Sequence, residues 1–368
     1  MKQKLLIFHP ALAPYRIDFF NSLCDKYETK IYFQYKSPIE QSFNEELINN
    51  EIDFKPNLLK DPLCGKKNFH IEIFNIIKKE NPNVIFISDF NLIGIIVILY
   101  KWIHLSKFKI ITICDDNIEM SCSFSNFRNY IRTLILRNVD AVIFASLYTQ
   151  KWYESKFSGI SRYLYFPIIQ SERYFIDGLK LASSTSSSIY KSLKLNSKTI
   201  LLYVGRLAPV KKIPLLLNMF RDLHTNHPEC ILLLVGDGEL EATLKEESIS
   251  LGIDKWVIFA GKQEGIQLKA FYNLGDIFIF CSTKDAFGTV INEALISGCY
   301  VFCSPTIGAA CLIKNKINGE LIEMEDPSFI ANKIDDYLNS HPSFDKSNKM
   351  LCSFDSIFNS LVAEIEKL

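Results

Sequence analysis

The chain has 368 residues, which is more than one typical core holds and fits two α/β domains of ordinary size. Its composition is globular, with 48% hydrophobic and 22% charged residues, and this excludes wholesale disorder. The formal net charge is zero, which argues against a general nucleic-acid binder but leaves local basic patches open.

The cysteines and the first residues indicate the compartment. The ten cysteines form no CxxC pairs and have no histidine partners at zinc-finger spacing. Met1 leads directly into residues typical of a strand, without a signal-peptide pattern. These features predict a cytoplasmic protein with reduced thiols rather than a disulfide framework.

Two apolar segments bear on membrane contact. The run over residues 92–100 falls short of the roughly 20 residues needed to span a bilayer, and it predicts a buried helix. The basic and aromatic segment 127–137 can alternatively lie on an anionic membrane. A peripheral contact at the inner face of the cell membrane is therefore an open alternative.

Strands and helices alternate along the first 170 residues. Residues 4–9 form an apolar strand, 10–14 a loop and 15–26 an amphipathic helix, which together make the first unit of a Rossmann-like domain. Further strands are predicted over residues 31–35, 84–88, 109–114 and 140–146.

Polar residues follow two of these strands. Arg16 stands at a helix start, where it supplies a cation or is merely solvated. Asp115 and Asp116 follow a buried strand, at the edge where α/β sheets bind ligands. The two carboxylates either bind a hydroxyl or a cationic group, or they form an Asx turn and a helix N-cap.

The second half begins after a serine-rich stretch. Residues 181–197 are polar and predict a mobile surface loop at a domain junction. The strand over 200–204 is followed by Gly205, Arg206 and Lys211. The Walker pattern is absent, and the two cations either neutralise a phosphate group without a metal or belong to a solvated surface.

Two further strand ends carry glycine. Gly236-Asp237-Gly238 follows a strand, but the third glycine of a dinucleotide fingerprint is replaced by Glu241. The turn is instead predicted to let the backbone approach a nucleotide. Gly261 and Lys262 end the next strand.

Residues 277–301 predict a βαβ unit. A strand leads into a loop with Asp285 and a Phe287-Gly288 turn, and a helix from Thr289 carries Glu293. A helix N-terminus suits a phosphate, and a carboxylate one turn further in accepts hydrogen bonds from a ribose diol. The alternative is an ordinary amphipathic helix with an exposed glutamate.

Asp285-x7-Glu293, the Gly205-Arg206…Lys211 segment and the Asn318-Gly319 turn resemble the motifs of retaining, nucleotide-sugar-dependent glycosyltransferases of the GT-B fold, family 4. The resemblance is close over residues 199–325 and looser over 1–170. Several positions depart from the pattern. Position 285 is Asp rather than Glu, position 212 is Lys rather than Gly, the loop over 10–16 has no glycine, and Asp115-Asp116 lie where many relatives have His.

The resemblance implies an α/β fold with two Rossmann-like domains facing across a cleft. Residues 1–170 would form the acceptor-side domain, 171–198 a serine-rich linker and 199–345 the nucleotide-sugar domain. Residues 346–368 would form a helix that crosses back to the first domain.

The resemblance also implies a function. A sugar would move from a UDP- or GDP-linked donor to a hydroxyl of a glycan or lipid-linked acceptor, in bacterial surface polysaccharide assembly, without a cofactor, a metal or nucleic acid. Alternatives are a non-catalytic GT-B partner subunit, another GT-B enzyme such as an epimerase or a phosphorylase, and a sugar-binding module.

Roles for individual residues follow from the same resemblance. Arg206 and Lys211 would hold the diphosphate, Glu293 the ribose, and Asp285 would face the donor sugar. The expected remaining donor-site residues are Gly205, Gly236, Lys262, Phe287, Gly288 and Thr289. The expected acceptor-side residues are Arg16, Asp115 and Asp116.

Overall fold

A computed structural model describes residues 2–36, 44–60, 70–157, 159–160, 162–282, 285 and 287–368. The chain divides into two compact units. Unit 1 contains Met1–Gln170 and Phe354–Leu368, and unit 2 contains Ser171–Ser353.

Unit 1 is a seven-stranded parallel sheet with helices. Its strands are β1 (Lys4–His9), β2 (Glu28–Phe33), β3 (Asn57–Leu58), β4 (Val84–Ser88), β5 (Lys109–Cys114), β6 (Ala141–Phe144) and β7 (Tyr163–Tyr165). Its helices are α1 (Ile17–Lys26), α2 (Glu45–Glu51), α3 (Ile73–Glu80), α4 (Leu92–Ile103), α5 (Ile118–Cys122), α6 (Asn126–Leu136), α7 (Leu147–Lys156) and, from the end of the chain, α15 (Phe354–Ile365). The strand order is β3-β2-β1-β4-β5-β6-β7.

Unit 2 repeats the architecture with six parallel strands. They are β8 (Thr199–Val204), β9 (Cys230–Val235), β10 (Val257–Phe259), β11 (Ile277–Phe280), β12 (Tyr300–Cys303) and β13 (Gly319–Leu321), in the order β10-β9-β8-β11-β12-β13. The helices are α8 (Glu172–Leu181), α9 (Ser183–Ser192), α10 (Ile213–Asn226), α11 (Glu241–Ser250), α12 (Gly265–Leu274), α13 (Thr289–Ile296) and α14 (Pro327–Ser340).

The strand sequences explain both sheets. Central strands such as β4 (VIFIS) and β9 (CILLLV) are apolar throughout and buried along their whole length. A parallel sheet is covered on both faces, so its strands are continuously apolar rather than alternating. The helix predicted over the apolar run 92–100 is confirmed as the buried part of α4. No described helix combines the length and apolarity needed to cross a membrane.

Each sheet has one place where the strand order reverses. In unit 1 the chain leaves β1 toward β2 and later returns to β4 on the other side of β1. In unit 2 the same reversal lies between β8 and β11. The loops after these strands diverge at the carboxyl edge and leave a crevice, which is where open α/β sheets bind ligands.

The serine-rich stretch is helical, so the predicted loop over 181–197 and linker over 171–198 are wrong. Helices α8 and α9 occupy most of this stretch and belong to unit 2. Serine hydroxyls donate to carbonyls one turn back, for example from Ser187 to Ser183 at 3.0 Å. Ser186 also donates to Ala270 of α12 at 3.1 Å. Packing on α12 therefore overrides the composition.

The terminal helix is shorter than the predicted range 346–368. Residues 346–353 belong to unit 2, where Lys346 binds Asp276 at 2.7 Å and the Lys349 N–H donates to the Leu295 carbonyl at 2.8 Å. Residues Phe354–Leu368, which contain α15, join unit 1. There the ring of Phe354 packs edge-on against Phe166, with ring centroids 5.5 Å apart.

We expect Phe354→Ala to lower the free energy of unfolding of unit 1 by about 3–5 kcal/mol, because it empties a fully buried aromatic site. Urea denaturation followed by circular dichroism measures the loss. Phe329→Ala is the matched control, since that ring is exposed on α14. Equal effects of the two substitutions would contradict the packing of α15 described above.

Candidate functional site

In unit 2 the predicted residues lie on the two loops that flank the strand-order reversal. Gly205, Arg206 and Lys211 follow β8, whereas Asp285, Phe287 and Gly288 follow β11. Residues 283, 284 and 286 of the second loop lie outside the described residues. Both loops therefore leave neighbouring strands at the same carboxyl edge.

Lys211 and Asp285 bind each other directly. The Lys211 ammonium donates to Asp285 Oδ2, and both side chains are largely buried. Asp285 Oδ1 accepts the N–H of Phe287 at 3.3 Å. Ser282 Oγ also joins the two loops by donating to the Val210 carbonyl at 3.2 Å. The predicted phosphate-binding cation and the predicted sugar-facing carboxylate thus form one charged pair.

Two glycines allow close packing of neighbouring loops. Gly236 has φ +145°, and a Cβ there would lie 1.9 Å from the Gly205 carbonyl oxygen. A Cβ at Gly238 would lie 2.4 Å from the Leu207 carbonyl oxygen. These glycines therefore bring the loop after β9 against the loop after β8, a structural use that differs from the close approach to a nucleotide expected from sequence.

Glu293 lies inside helix α13, whose N-cap is Gly288 with φ +89°. The hydroxyl of Tyr272, on α12, donates to Glu293 Oε2 at 2.6 Å. Burial, followed by the charge of Glu293, raises the pKa of Tyr272 well above its usual range. The phenol therefore stays a proton donor and fixes the orientation of the half-buried carboxylate.

The remaining predicted donor-site residues occupy the same edge. Arg206 is exposed, and its carbonyl accepts the Tyr203 hydroxyl at 3.0 Å. Lys262, after β10, is paired with Glu264 at 3.0 Å. Thr289 is half-buried in the first turn of α13. Backbone N–H groups in such a first turn have no partner inside the helix and suit an anion.

In unit 1 the predicted Arg16 and Asp115 also form an ion pair. Arg16 is buried in a short 3-10 turn before α1, and its guanidinium binds Asp115 Oδ1. His9, at the end of β1, lies beside this pair. Its Nδ1 donates to the Ala11 carbonyl at 2.9 Å. Burial, followed by the charge of Arg16, lowers the His9 pKa to about 4, so this imidazole is neutral at neutral pH.

Asp116 is an incompletely satisfied carboxylate at this edge. Its residue is only 8% exposed, and its Oδ2 has no hydrogen-bond partner within the described part of the chain. Burial, followed by the charge of Asp115, raises the Asp116 pKa to about 6. The N-cap of α5 is Asn117, whose side chain accepts the Met120 N–H at 2.7 Å. Asn117, and not Asp115 or Asp116, is therefore the N-cap of the helix that follows.

Asp89 joins the cluster, although the sequence analysis did not single it out. It follows β4 with φ +56°, and its Oδ1 also has no partner in the described ranges. Burial, then Asp116 and then Asp115 raise its pKa well above the usual range. The signal was available, because Asp89 follows a buried strand just as Asp115 does.

A buried arginine holds the three helices beside this cluster together. Arg132 of α6 donates to the Ser121 carbonyl of α5 at 3.0 Å and to the Tyr153 hydroxyl of α7 at 3.3 Å. Its guanidinium also lies against the rings of Phe124 and Phe157, 4.9 and 4.7 Å from their centroids. The sequence alone marks Arg132 only as one basic residue of a helix.

No group of three or more His, Cys, Asp or Glu side chains in the described ranges is arranged to hold a metal ion. The buried carboxylates at the unit 1 edge are therefore best tested as single groups.

We expect Asp116→Asn to raise the free energy of unfolding by roughly 1–3 kcal/mol at pH 7.5. The folded-state pKa of about 6 exceeds the usual 3.8, so this carboxyl favours folding when protonated. Its contribution to stability is therefore lost as pH rises from about 4 to about 6. Urea denaturation from pH 4 to pH 7.5 measures the free energy of unfolding of the native chain and of the variant. Asp25→Asn, at an exposed site, is the control. A destabilised Asp116→Asn variant at pH 7.5 would contradict the assignment.

Comparisons with known proteins agree with this architecture. Residues 186–351 match the family model described as "Glycosyl transferases group 1". The lipopolysaccharide 1,2-N-acetylglucosaminetransferase of Salmonella typhimurium is 33% identical over 147 residues, which cover 37% of this chain and 38% of that protein. The GalNAc-alpha-(1->4)-GalNAc-alpha-(1->3)-diNAcBac-PP-undecaprenol alpha-1,4-N-acetyl-D-galactosaminyltransferase of Campylobacter jejuni is 30% identical over 147 residues, covering 39% of each chain. The matches thus span well under half the length of these curated relatives.

Among solved structures, Anabaena HepE in complex with UDP superposes with a TM-score of 0.77 and 16% identity, covering 99% of this chain and 100% of HepE. The fold class predicted from sequence, two Rossmann-like α/β units with a final helix returning to the first, is confirmed. Residues 186–351 thus match the glycosyl transferases group 1 family, and the chain has the GT-B fold.

Proposed function

We propose that this chain is a retaining glycosyltransferase that moves a sugar from a nucleoside-diphosphate sugar to a hydroxyl of a lipid-linked glycan. The observation that carries the proposal is the Lys211–Asp285 pair at the strand-order reversal of unit 2, with Glu293 in the following helix. A cation, a carboxylate and a helix N-terminus lie at this one edge of the sheet, and groups of these kinds can bind the diphosphate and the sugar of a sugar diphosphate.

The charged pair has a direct use in donor binding. A diphosphate brings two negative charges to the edge and becomes the stronger partner of the Lys211 ammonium. Asp285 is then released from Lys211 to accept hydrogen bonds from hydroxyls of the donor sugar. Arg206, which is exposed in the same loop as Lys211, adds a second cation for the leaving diphosphate.

Glu293 is suited to the ribose. The Tyr272 hydroxyl holds one carboxylate oxygen at 2.6 Å, so the group is oriented before a diol reaches it. The N–H groups of the first turn of α13 would bind the phosphates. The Anabaena HepE structure contains UDP, which favours a uridine donor over a guanosine donor.

The acceptor is proposed to bind at the carboxyl edge of the unit 1 sheet. Asp116 Oδ2 and Asp89 Oδ1 are buried oxygens without a partner in the described residues, and each can accept a hydrogen bond from an acceptor hydroxyl. Arg16 keeps Asp115 paired beside them. The lipopolysaccharide and undecaprenol named in the two relatives favour a lipid-linked glycan of a bacterial surface, handled at a membrane.

The transfer breaks the bond between the anomeric carbon and the diphosphate oxygen. The acceptor oxygen forms the new bond from the same face, and its proton passes to the departing phosphate. The products are the glycoside and the nucleoside diphosphate, with the anomeric configuration retained. Arg206 and Lys211 stabilise the departing charge in place of a metal, so activity is expected to survive EDTA.

We expect UDP to raise the melting temperature of the native chain. A ligand at 100 times its dissociation constant adds about 2.7 kcal/mol of stability. Lys211→Ala and Glu293→Ala should abolish the UDP shift, whereas the controls Lys255→Ala and Glu246→Ala, at exposed sites, should keep it. GDP and ADP are measured alongside to establish the base.

The titration also distinguishes the alternatives. If no nucleotide shifts the native chain, the donor site is wrong and a non-catalytic partner subunit becomes the better interpretation. If UDP binds, a panel of UDP-sugars with lipid-linked acceptors follows, and the anomeric configuration of the product is read by NMR. Conversion of the UDP-sugar into an isomeric UDP-sugar, without any acceptor and without release of UDP, would indicate an epimerase instead.

We expect Asp285→Glu to lower kcat/KM at least tenfold. The Asp285 carboxylate binds Lys211 and the Phe287 N–H at once, and an added methylene displaces it from this position. Asp285→Asn serves as the comparison, because it keeps the size and removes the charge. A gain of activity in Asp285→Glu would instead indicate a partly decayed site.

A further inference from the structure

The last turn of helix α4 and the residues just after it carry exposed apolar side chains that the proposed reaction does not use. Trp102, Ile103 and Leu105, here termed the α4 tip, are 53%, 66% and 86% exposed. Leu105 also has φ +47°, a left-handed conformation that usually belongs to glycine at the end of a helix. Large apolar side chains grouped in this way mark an interaction surface.

The surroundings of the α4 tip are basic. The segments 78–83, 101–109 and 137–140 flank the amino ends of β4, β5 and β6. They contain six cations, Lys78, Lys79, Lys101, Lys107, Lys109 and Arg137, and two carboxylates, Glu80 and Asp140. Asp140 forms ion pairs with Lys101 at 3.1 Å and with Lys109 at 3.4 Å. The segments at this edge of the sheet therefore carry an excess of positive charge, which complements an anionic surface.

Helix α6 exposes much less apolar surface for membrane contact than its sequence indicates. The apolar face of the segment 127–137 lies in the core of unit 1, where Ile131, Ile135 and Leu136 are buried. The large exposed side chains of its first turns include the rings of Phe127 and Tyr130, which are 68% and 67% exposed. An amphipathic helix cannot lie flat on a bilayer while its apolar face is packed on a sheet.

We propose that the α4 tip inserts into the head-group region of an anionic bilayer. Trp102 is suited to this depth because its ring has an apolar body and a polar N–H. Ile103 and Leu105 reach the acyl boundary, while Lys107 and the neighbouring cations contact lipid phosphates. This inference deepens the membrane contact of the proposed function, and it does not depend on the transfer reaction.

The test is flotation of the full chain with vesicles of phosphatidylglycerol and phosphatidylcholine. The double variant Trp102→Ser/Leu105→Ser should lose at least tenfold in vesicle affinity. The matched control, Phe127→Ser/Tyr130→Ser, removes two equally exposed aromatic rings and should change the affinity less than twofold. Pure phosphatidylcholine vesicles and 0.5 M salt should each weaken binding of the native chain, because the lipid charge is removed or screened.

Three results would overturn the proposal. The native chain fails to float with anionic vesicles, the Trp102→Ser/Leu105→Ser variant floats as well as the native chain, or only the Phe127→Ser/Tyr130→Ser variant loses binding. Melting temperatures of both variants, with and without UDP, are measured in parallel. An unchanged UDP shift in a variant that has lost vesicle binding separates this surface from the donor site.

Discussion

Parallel strand pairing is the constraint on which both candidate sites depend. All described strands in each sheet point the same way, so their carboxyl ends and the loops that follow them lie at one edge. The order reverses once in each sheet, between β1 and β4 and between β8 and β11. The hydrogen-bond ladder itself thus places the loops of His9 and Asp89, and those of Lys211 and Asp285, side by side.

Charge is treated differently at the two edges. In unit 2 opposite charges meet, since Lys211 and Asp285 compensate each other. In unit 1 the single Arg16–Asp115 pair leaves Asp89 and Asp116 buried with raised pKa values. An incompletely satisfied polar cluster lowers stability, and such sites persist where function requires them. The first arrangement suits a charged ligand, and the second suits a neutral ligand rich in hydroxyl groups.

Features with a local sequence pattern, such as strands and the polar residues after them, were predictable from the sequence. Features that depend on tertiary contacts were not. Apolar runs marked the long central strands, and the strand-end rule placed Asp115, Asp116 and Asp285 at the edges that the structure shows. The hydrogen bond between Tyr272 and Glu293 joins helices α12 and α13, and the two residues are 21 positions apart in the sequence. No local sequence pattern predicts this contact. The serine-rich stretch failed for the opposite reason, because composition favoured a loop while Ser186 docks on α12. The roles of the site residues remain predictions, since contacts in the protein do not reveal the ligand.

The unpartnered oxygen of Asp116 has a consequence for the thermodynamics of ligand binding. A hydroxyl that donates to this carboxylate favours its charged form and lowers a pKa that starts at about 6. Near that pH the group is about half protonated, so an acceptor bound as proposed would expel protons into the solvent. The heat of binding would then vary with the ionisation enthalpy of the buffer, and the affinity would increase as the solution becomes less acidic. A buried carboxyl would thus couple glycan recognition to the proton concentration around the protein.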